Sequence, residues 1–101
     1  MKFKKLVRDK IPDSIVRDGR IPVVHVADNK EYWKRLKEKL NEEVDEFVND
    51  ESPEEFADIL EVLDAIADYK QFDRNKIQEI KRRKAQEKGV FKDRIILDEV
   101  H

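Results

Sequence analysis

The chain contains no cysteine among its 101 residues. That excludes disulfides and thiolate metal sites, and it suits a reducing compartment, so the expected location is the cytoplasm. Glycine occurs twice, at Gly19 and Gly89. Two isolated glycines cannot build a Gly-rich phosphate loop or a dinucleotide fingerprint, so any phosphate must be held by side chains or by a metal. Histidine also occurs twice, as His25 and His101. The opening segment MKFKKLVRDK has no apolar run suited to a signal peptide, and no segment approaches the ~20 apolar residues of a membrane span. No partnership with a membrane is therefore expected.

What the chain has in abundance is charge: 46% of residues are Asp, Glu, Lys or Arg, with a net charge of −2. A near-balanced total argues against a general nucleic-acid binder, so no nucleic-acid polymer is expected as a partner. The length suits one domain spanning residues 1–101, with a thin core that gains from subunit contacts.

The hydrophobic pattern predicts an all-α protein, a small antiparallel bundle of about four helices, oligomeric, with short extended segments near residues 21–27 and 91–98. KIPDSIVRDG reads as a short helix, with Pro12 in its first turn and Gly19 beyond its end. The β-branched run RIPVVHVAD reads as an extended segment or edge strand. Asp28 and Glu31 form a capping-box start to a helix running to about Val48, with Trp33, Leu36, Leu40, Val44 and Phe47 along one stripe. Ser52, Pro53 and Glu55 start another. Its apolar residues Phe56, Ile59, Leu60, Val62, Leu63, Ile66 and Ala67 span more than one face, which predicts packing on two sides, the second against another subunit. Asp73 caps a last helix over residues 74 to 88 that ends at Gly89. The apolar residues of the tail VFKDRIILDEV are expected to lie across the bundle.

Between Leu40 and Leu60 nine residues are acidic. Glu43 and Glu46 are neighbours on one helix face, and Glu55 and Asp58 repeat the spacing on the next helix. The short connection makes the two helices antiparallel neighbours. At ~1.5 Å of rise per residue, Glu46 and Glu55 lie at nearly one level from the turn, as do Glu43 and Asp58. Four carboxylates can thus meet at the hairpin seam, where their repulsion calls for a hard divalent cation, Mg²⁺ or Mn²⁺, with phosphate oxygens as further ligands. Against this, Glu55 also serves as the capping-box residue, and Glu42, Asp45 and Glu54 read as solvated surface. A di-iron bundle wants Glu-x-x-His pairs, and neither histidine falls on these helices. Candidate phosphate contacts are Lys39, one turn before Glu43, and Lys81, Lys84 and Lys88 on the last helix. Arg8, Lys10 and Arg94 are further cations. Trp33 fits a packed stripe better than a base-stacking surface.

EEVDE (Glu42 to Glu46) followed by EFAD (Glu55 to Asp58) resembles the EExxE…ExxD signature of the all-α MazG-like nucleoside triphosphate pyrophosphohydrolases. KLVRDKIP (Lys5 to Pro12) is similar to the opening of a MazG-related subgroup, and KAQEKGVF (Lys84 to Phe91) to that subgroup's K-x-x-x-R/K-G-G-F ending. The resemblance covers almost the whole chain. It implies a homodimer or homotetramer and Mg²⁺ held by Glu43, Glu46, Glu55 and Asp58. It also implies cleavage of a nucleoside triphosphate between the α- and β-phosphates, in nucleotide-pool house-cleaning. Lys39 and Lys84 would contact phosphate, Arg8 and Lys10 would line the nucleotide pocket, and Glu43 or Glu46 would orient or deprotonate the attacking water. A short gap between the acidic motifs and Val90 in place of a second glycine depart from the pattern, and both bear on nucleotide specificity. The alternatives are a phosphoribosyl-ATP pyrophosphohydrolase-type activity and a non-catalytic oligomeric helical adaptor.

Overall fold

The computed structural model describes residues 4–101. The first three residues of the opening segment lie outside the described residues. The described chain is all-α: α1 spans Ile11–Arg17, α2 Asn29–Asn49, α3 Pro53–Tyr69 and α4 Arg74–Lys88, with no strand among the described residues. It divides into two compact units, one up to Lys70 and one from Gln71 onward. The division coincides with Gln71, whose φ of 57° lies in the left-handed region that non-glycine residues seldom adopt.

Each helix starts and stops for a local reason. Pro12 sits in the first turn of α1, where a missing N–H costs nothing. Beyond its end, Gly19 adopts φ 81° and donates its N–H to the Val16 carbonyl, while Arg20 donates to Ile15. This is a Schellman closure, which needs a residue free to enter the left-handed region. The Asp28 carboxylate accepts the Glu31 N–H at 2.9 Å and starts α2. The Ser52 hydroxyl accepts the Glu55 N–H at 3.2 Å and starts α3. The capping box at Ser52 is open on its other side. The Ser52 N–H goes to the Asp50 carbonyl at 2.7 Å, and Oε2 of Glu55 is buried with no hydrogen-bond partner.

In the first unit α2 and α3 form an antiparallel hairpin. At its turn end, Phe47 meets Phe56 edge-on at 5.8 Å. At its open end, Trp33 stacks on Tyr69 at 5.5 Å with the rings 5° from parallel. There the Tyr69 hydroxyl donates to the Asn29 carbonyl at 3.2 Å. Lys70 caps the indole of Trp33 at 4.2 Å, a cation–π contact. Trp33 thus packs within the hairpin, against Tyr69 and Lys70.

The core is thin. Leu36 and Val62 are the buried apolar residues among those described, and Glu43 is buried with them. Ile59, Ile66 and Ala67 are half-buried beside α2. Phe56, Leu60 and Leu63 on α3, and Val44 and Val48 on α2, are exposed, Phe56 at 51% and Leu60 at 49%. The wide apolar arc of α3 is therefore covered on one side and open on the other.

Residues 21–27 form no ladder, and Ile21, Val23, Val24 and Val26 are exposed. In the second unit the Asp73 carboxylate caps α4 through the N–H groups of Asn75 and Lys76. Gly89 ends α4 at φ 83°. In the tail, Phe91, Ile95, Ile96 and Leu97 are exposed. Their short irregular segment has neither the helical nor the strand hydrogen bonding that would aim them at one surface.

Candidate metal centre

The carboxylates expected at the hairpin seam meet there in part. One oxygen from each of Glu43, Glu55 and Asp58 falls within a cluster whose members lie within 4.8 Å of one another. Glu43 comes from the middle of α2, and Glu55 and Asp58 from the first two turns of α3. The match of level follows from antiparallel packing at ~1.5 Å per residue. Glu46 is exposed and is not one of the three. It borders the cluster closely enough to act on the carboxyl of Glu43.

The burial of Glu43 sets the electrostatics. The residue is 6% exposed, beside Leu36 and Val62 in a core that otherwise holds only apolar side chains. Burial pushes its carboxyl above its ordinary value near 4.5, and Glu46 adds to the push, while Lys39 pulls the other way. Lys39 reaches Oε1 of Glu43 at 3.1 Å and Glu42 at 3.5 Å. Desolvation lowers the Lys39 pKa, but the contacts with Glu43 and Glu42 outweigh it and hold the ammonium above its ordinary 10.5.

Two buried oxygens have no hydrogen-bond partner, Oε2 of Glu43 and Oε2 of Glu55. A buried carboxylate oxygen without a donor costs free energy, so native structures seldom leave one unanswered. Both orphaned atoms belong to residues of the three-carboxylate cluster. An all-oxygen donor set suits a hard divalent cation. Glu43, Glu55 and Asp58 would hold such a cation between them, each offering one carboxylate oxygen. The residues present therefore fit the group that the sequence calls for.

Other cations stand close by. Nη2 of Arg8 donates to Oδ1 of Asp58 at 2.8 Å. Lys5 reaches Glu42 at 3.5 Å. Sequence reading placed Lys39 beside Glu43 from the one-turn spacing, but it carried no signal for the Arg8–Asp58 pair, whose members are 50 residues apart. Lys10 stands at the N-cap position of α1. Lys84 belongs to the second unit, where it is exposed on α4. Tyr69, which the sequence reading passed over, closes the open end of the hairpin.

A sequence from Mycolicibacterium smegmatis (strain ATCC 700084 / mc(2)155), described as an uncharacterized protein, is 50% identical over 42 residues. The match takes in 42% of this chain and 43% of that relative's length. No family model matches the chain. No solved structure matches it. No helix among the described residues is long and apolar enough to cross a membrane.

Proposed function

We propose that the protein is a nucleoside triphosphate pyrophosphohydrolase that uses a divalent cation, Mg²⁺ or Mn²⁺, held by Glu43, Glu55 and Asp58. The observation that carries this reading is a three-carboxylate cluster in which two residues, Glu43 and Glu55, each keep a buried carboxylate oxygen without a partner. The cation would supply charge neutralisation on the phosphate that is attacked.

The chain's own residues have separable tasks. Glu43, Glu55 and Asp58 would hold the cation at the seam. Lys39 faces the same cluster and offers N–H donors to phosphate oxygens. Glu46 is exposed beside Glu43, so it is open to solvent where an attacking water would stand. It takes the proton of that water as the water oxygen bonds to the α-phosphorus. The bond from the α-phosphorus to the bridging oxygen breaks, and pyrophosphate leaves with the electron pair. The products are a nucleoside monophosphate and pyrophosphate. Arg8, held at Asp58, is placed at the edge of the site. Lys10 and Lys84 are assigned to substrate by the resemblance alone.

Incubating the protein with a panel of ribo- and deoxyribonucleoside triphosphates and phosphoribosyl-ATP, with Mg²⁺, tests the reaction. Monophosphate plus pyrophosphate is the expected outcome. Diphosphate plus orthophosphate would overturn the cleavage position. Turnover confined to the phosphoribosyl nucleotide would favour the alternative substrate. A lack of turnover together with a melting temperature indifferent to Mg²⁺ would favour an adaptor.

The open apolar side of the hairpin supports assembly into a homodimer or homotetramer. Val44, Val48, Phe56, Leu60 and Leu63 are too many large apolar groups to leave in water on so small a chain. Light scattering coupled to size exclusion is expected to give two or four times the 12.1 kDa chain mass. A mass near 12.1 kDa at micromolar concentration would remove the oligomer from the reading. Action in the cytoplasm, on the nucleotide pool, completes the proposal.

A further inference from the structure

Three carboxylates converge at the seam, and two resident cations already sit on them. Lys39 lies 3.1 Å from Glu43, and Arg8 lies 2.8 Å from Asp58. The two cations differ in how they are held. Lys39 is one turn from its partner on the same helix, and its side chain is only 17% exposed. Arg8 comes from the irregular segment before α1, and its side chain is 57% exposed. More than half of its side chain is open to solvent, so Arg8 can leave Asp58 without unpacking a buried group.

We propose that Arg8 is an exchangeable counter-cation, neutralising Asp58 in the metal-free protein and giving up that carboxylate when a divalent cation enters the cluster. This rests on the reading that Glu43, Glu55 and Asp58 hold such a cation. A guanidinium on one oxygen of Asp58 and a divalent ion on the same carboxylate would stand only ~5 Å apart. At water-like screening, that repulsion weakens metal binding roughly tenfold. The exchange has a use. A freed guanidinium presents a planar fork of N–H donors matched to phosphate oxygens. It becomes available at the edge of the site only once the metal is in place. Metal and anionic substrate would then favour one another's binding, by the reciprocity of linked equilibria. Lys5, paired with Glu42 at 3.5 Å, anchors the same segment and keeps Arg8 near the site after it leaves Asp58.

The sign of one measurement separates exchange from a merely supportive role. If Arg8 only oriented Asp58, removing it would weaken the metal site. If Arg8 competes, removing its charge strengthens it. Mn²⁺ binding to the full chain, without nucleotide, is read by the loss of the free-ion electron paramagnetic signal at low ionic strength. Arg8→Gln is expected to bind Mn²⁺ about tenfold more tightly than the wild type. Arg8→Lys, which keeps the charge, is expected to match the wild type within about threefold. Circular dichroism checks that helix content is unchanged, as expected for the loss of one exposed ion pair. Equal or weaker binding by Arg8→Gln, with the wild type binding, overturns the exchange and leaves the metal reading standing. Arg8→Lys behaving like Arg8→Gln also overturns it, because charge would then not be the cause. No Mn²⁺ binding by either the wild type or Arg8→Gln overturns both readings together.

Discussion

Glu43→Gln is expected to raise the melting temperature of the metal-free protein at pH 7.5 and to abolish the further rise that Mg²⁺ gives the wild type. These two effects have opposite signs and one origin. The Glu43 carboxylate is buried with an unpartnered oxygen, and burial pushes its pKa up despite Lys39. A folded-state value above the unfolded one means that the native protein binds the proton more tightly. Stability from this group is then fully present below the unfolded value near 4.5 and is lost as pH rises through the raised folded value. The gap between Glu43→Gln and wild type should therefore open as pH rises from about 4.5 and close again in acid. A gain on the order of 1 kcal/mol, or about 5 °C in a domain of this size, is the scale to look for. Mg²⁺ held at the proposed site would stabilise the wild type by binding the folded state, and glutamine would replace an anionic ligand with a weak neutral one. Thermal melts across pH, with and without Mg²⁺, test both halves. A variant less stable than wild type in the metal-free state at pH 7.5 would show that the Lys39 pairing outweighs desolvation. A variant that keeps the full Mg²⁺ response would remove Glu43 from the metal centre.

The second large effect concerns turnover. Glu46→Gln is expected to lower kcat by at least ~100-fold, the range typical of losing a general base. Because Glu46 is exposed and outside the three-carboxylate cluster, the same variant should keep its Mg²⁺-dependent rise in melting temperature. That split distinguishes a base from a ligand. Undiminished turnover would exclude Glu46 from the mechanism. Lost turnover together with a lost Mg²⁺ response would return it to the metal centre, as the four-carboxylate reading of the sequence has it.

Much of this hairpin is legible in the sequence, for physical reasons that can be named. Asp28, Ser52 and Asp73 each precede an amphipathic run, and each caps the helix expected of it. Helical rise and a short turn are enough to bring Glu43, Glu55 and Asp58 to one level. What helical spacing cannot give is whether a side chain at the seam turns in or out. Glu43 and Glu46 share the three-residue spacing, yet one is buried and the other exposed. Glu55 shows the same limit. Its capping-box spacing suggests a carboxylate already engaged, but the Ser52 N–H turns to Asp50. The Arg8–Asp58 pair joins an irregular segment to a helix, so no periodicity announces it. The tail fails for a related reason. Hydrophobic composition predicts burial, yet Phe91 and Ile95 are exposed on a segment with no regular hydrogen bonding of its own.

Trp33 is the chain's single tryptophan, and it lies at the open end of the hairpin against Tyr69 and Lys70. The site carboxylates lie toward the other end, near the turn. Intrinsic emission from this chromophore therefore reports on the clasp that joins the start of α2 to the end of α3. It does so through the ring environment and through the nearby ammonium, a potential quencher. Unzipping from that end would change the emission before the seam opens, whereas an ion entering among Glu43, Glu55 and Asp58 would leave it almost untouched. The hairpin thus carries its own optical probe for how its two ends come apart, spatially removed from the carboxylate cluster.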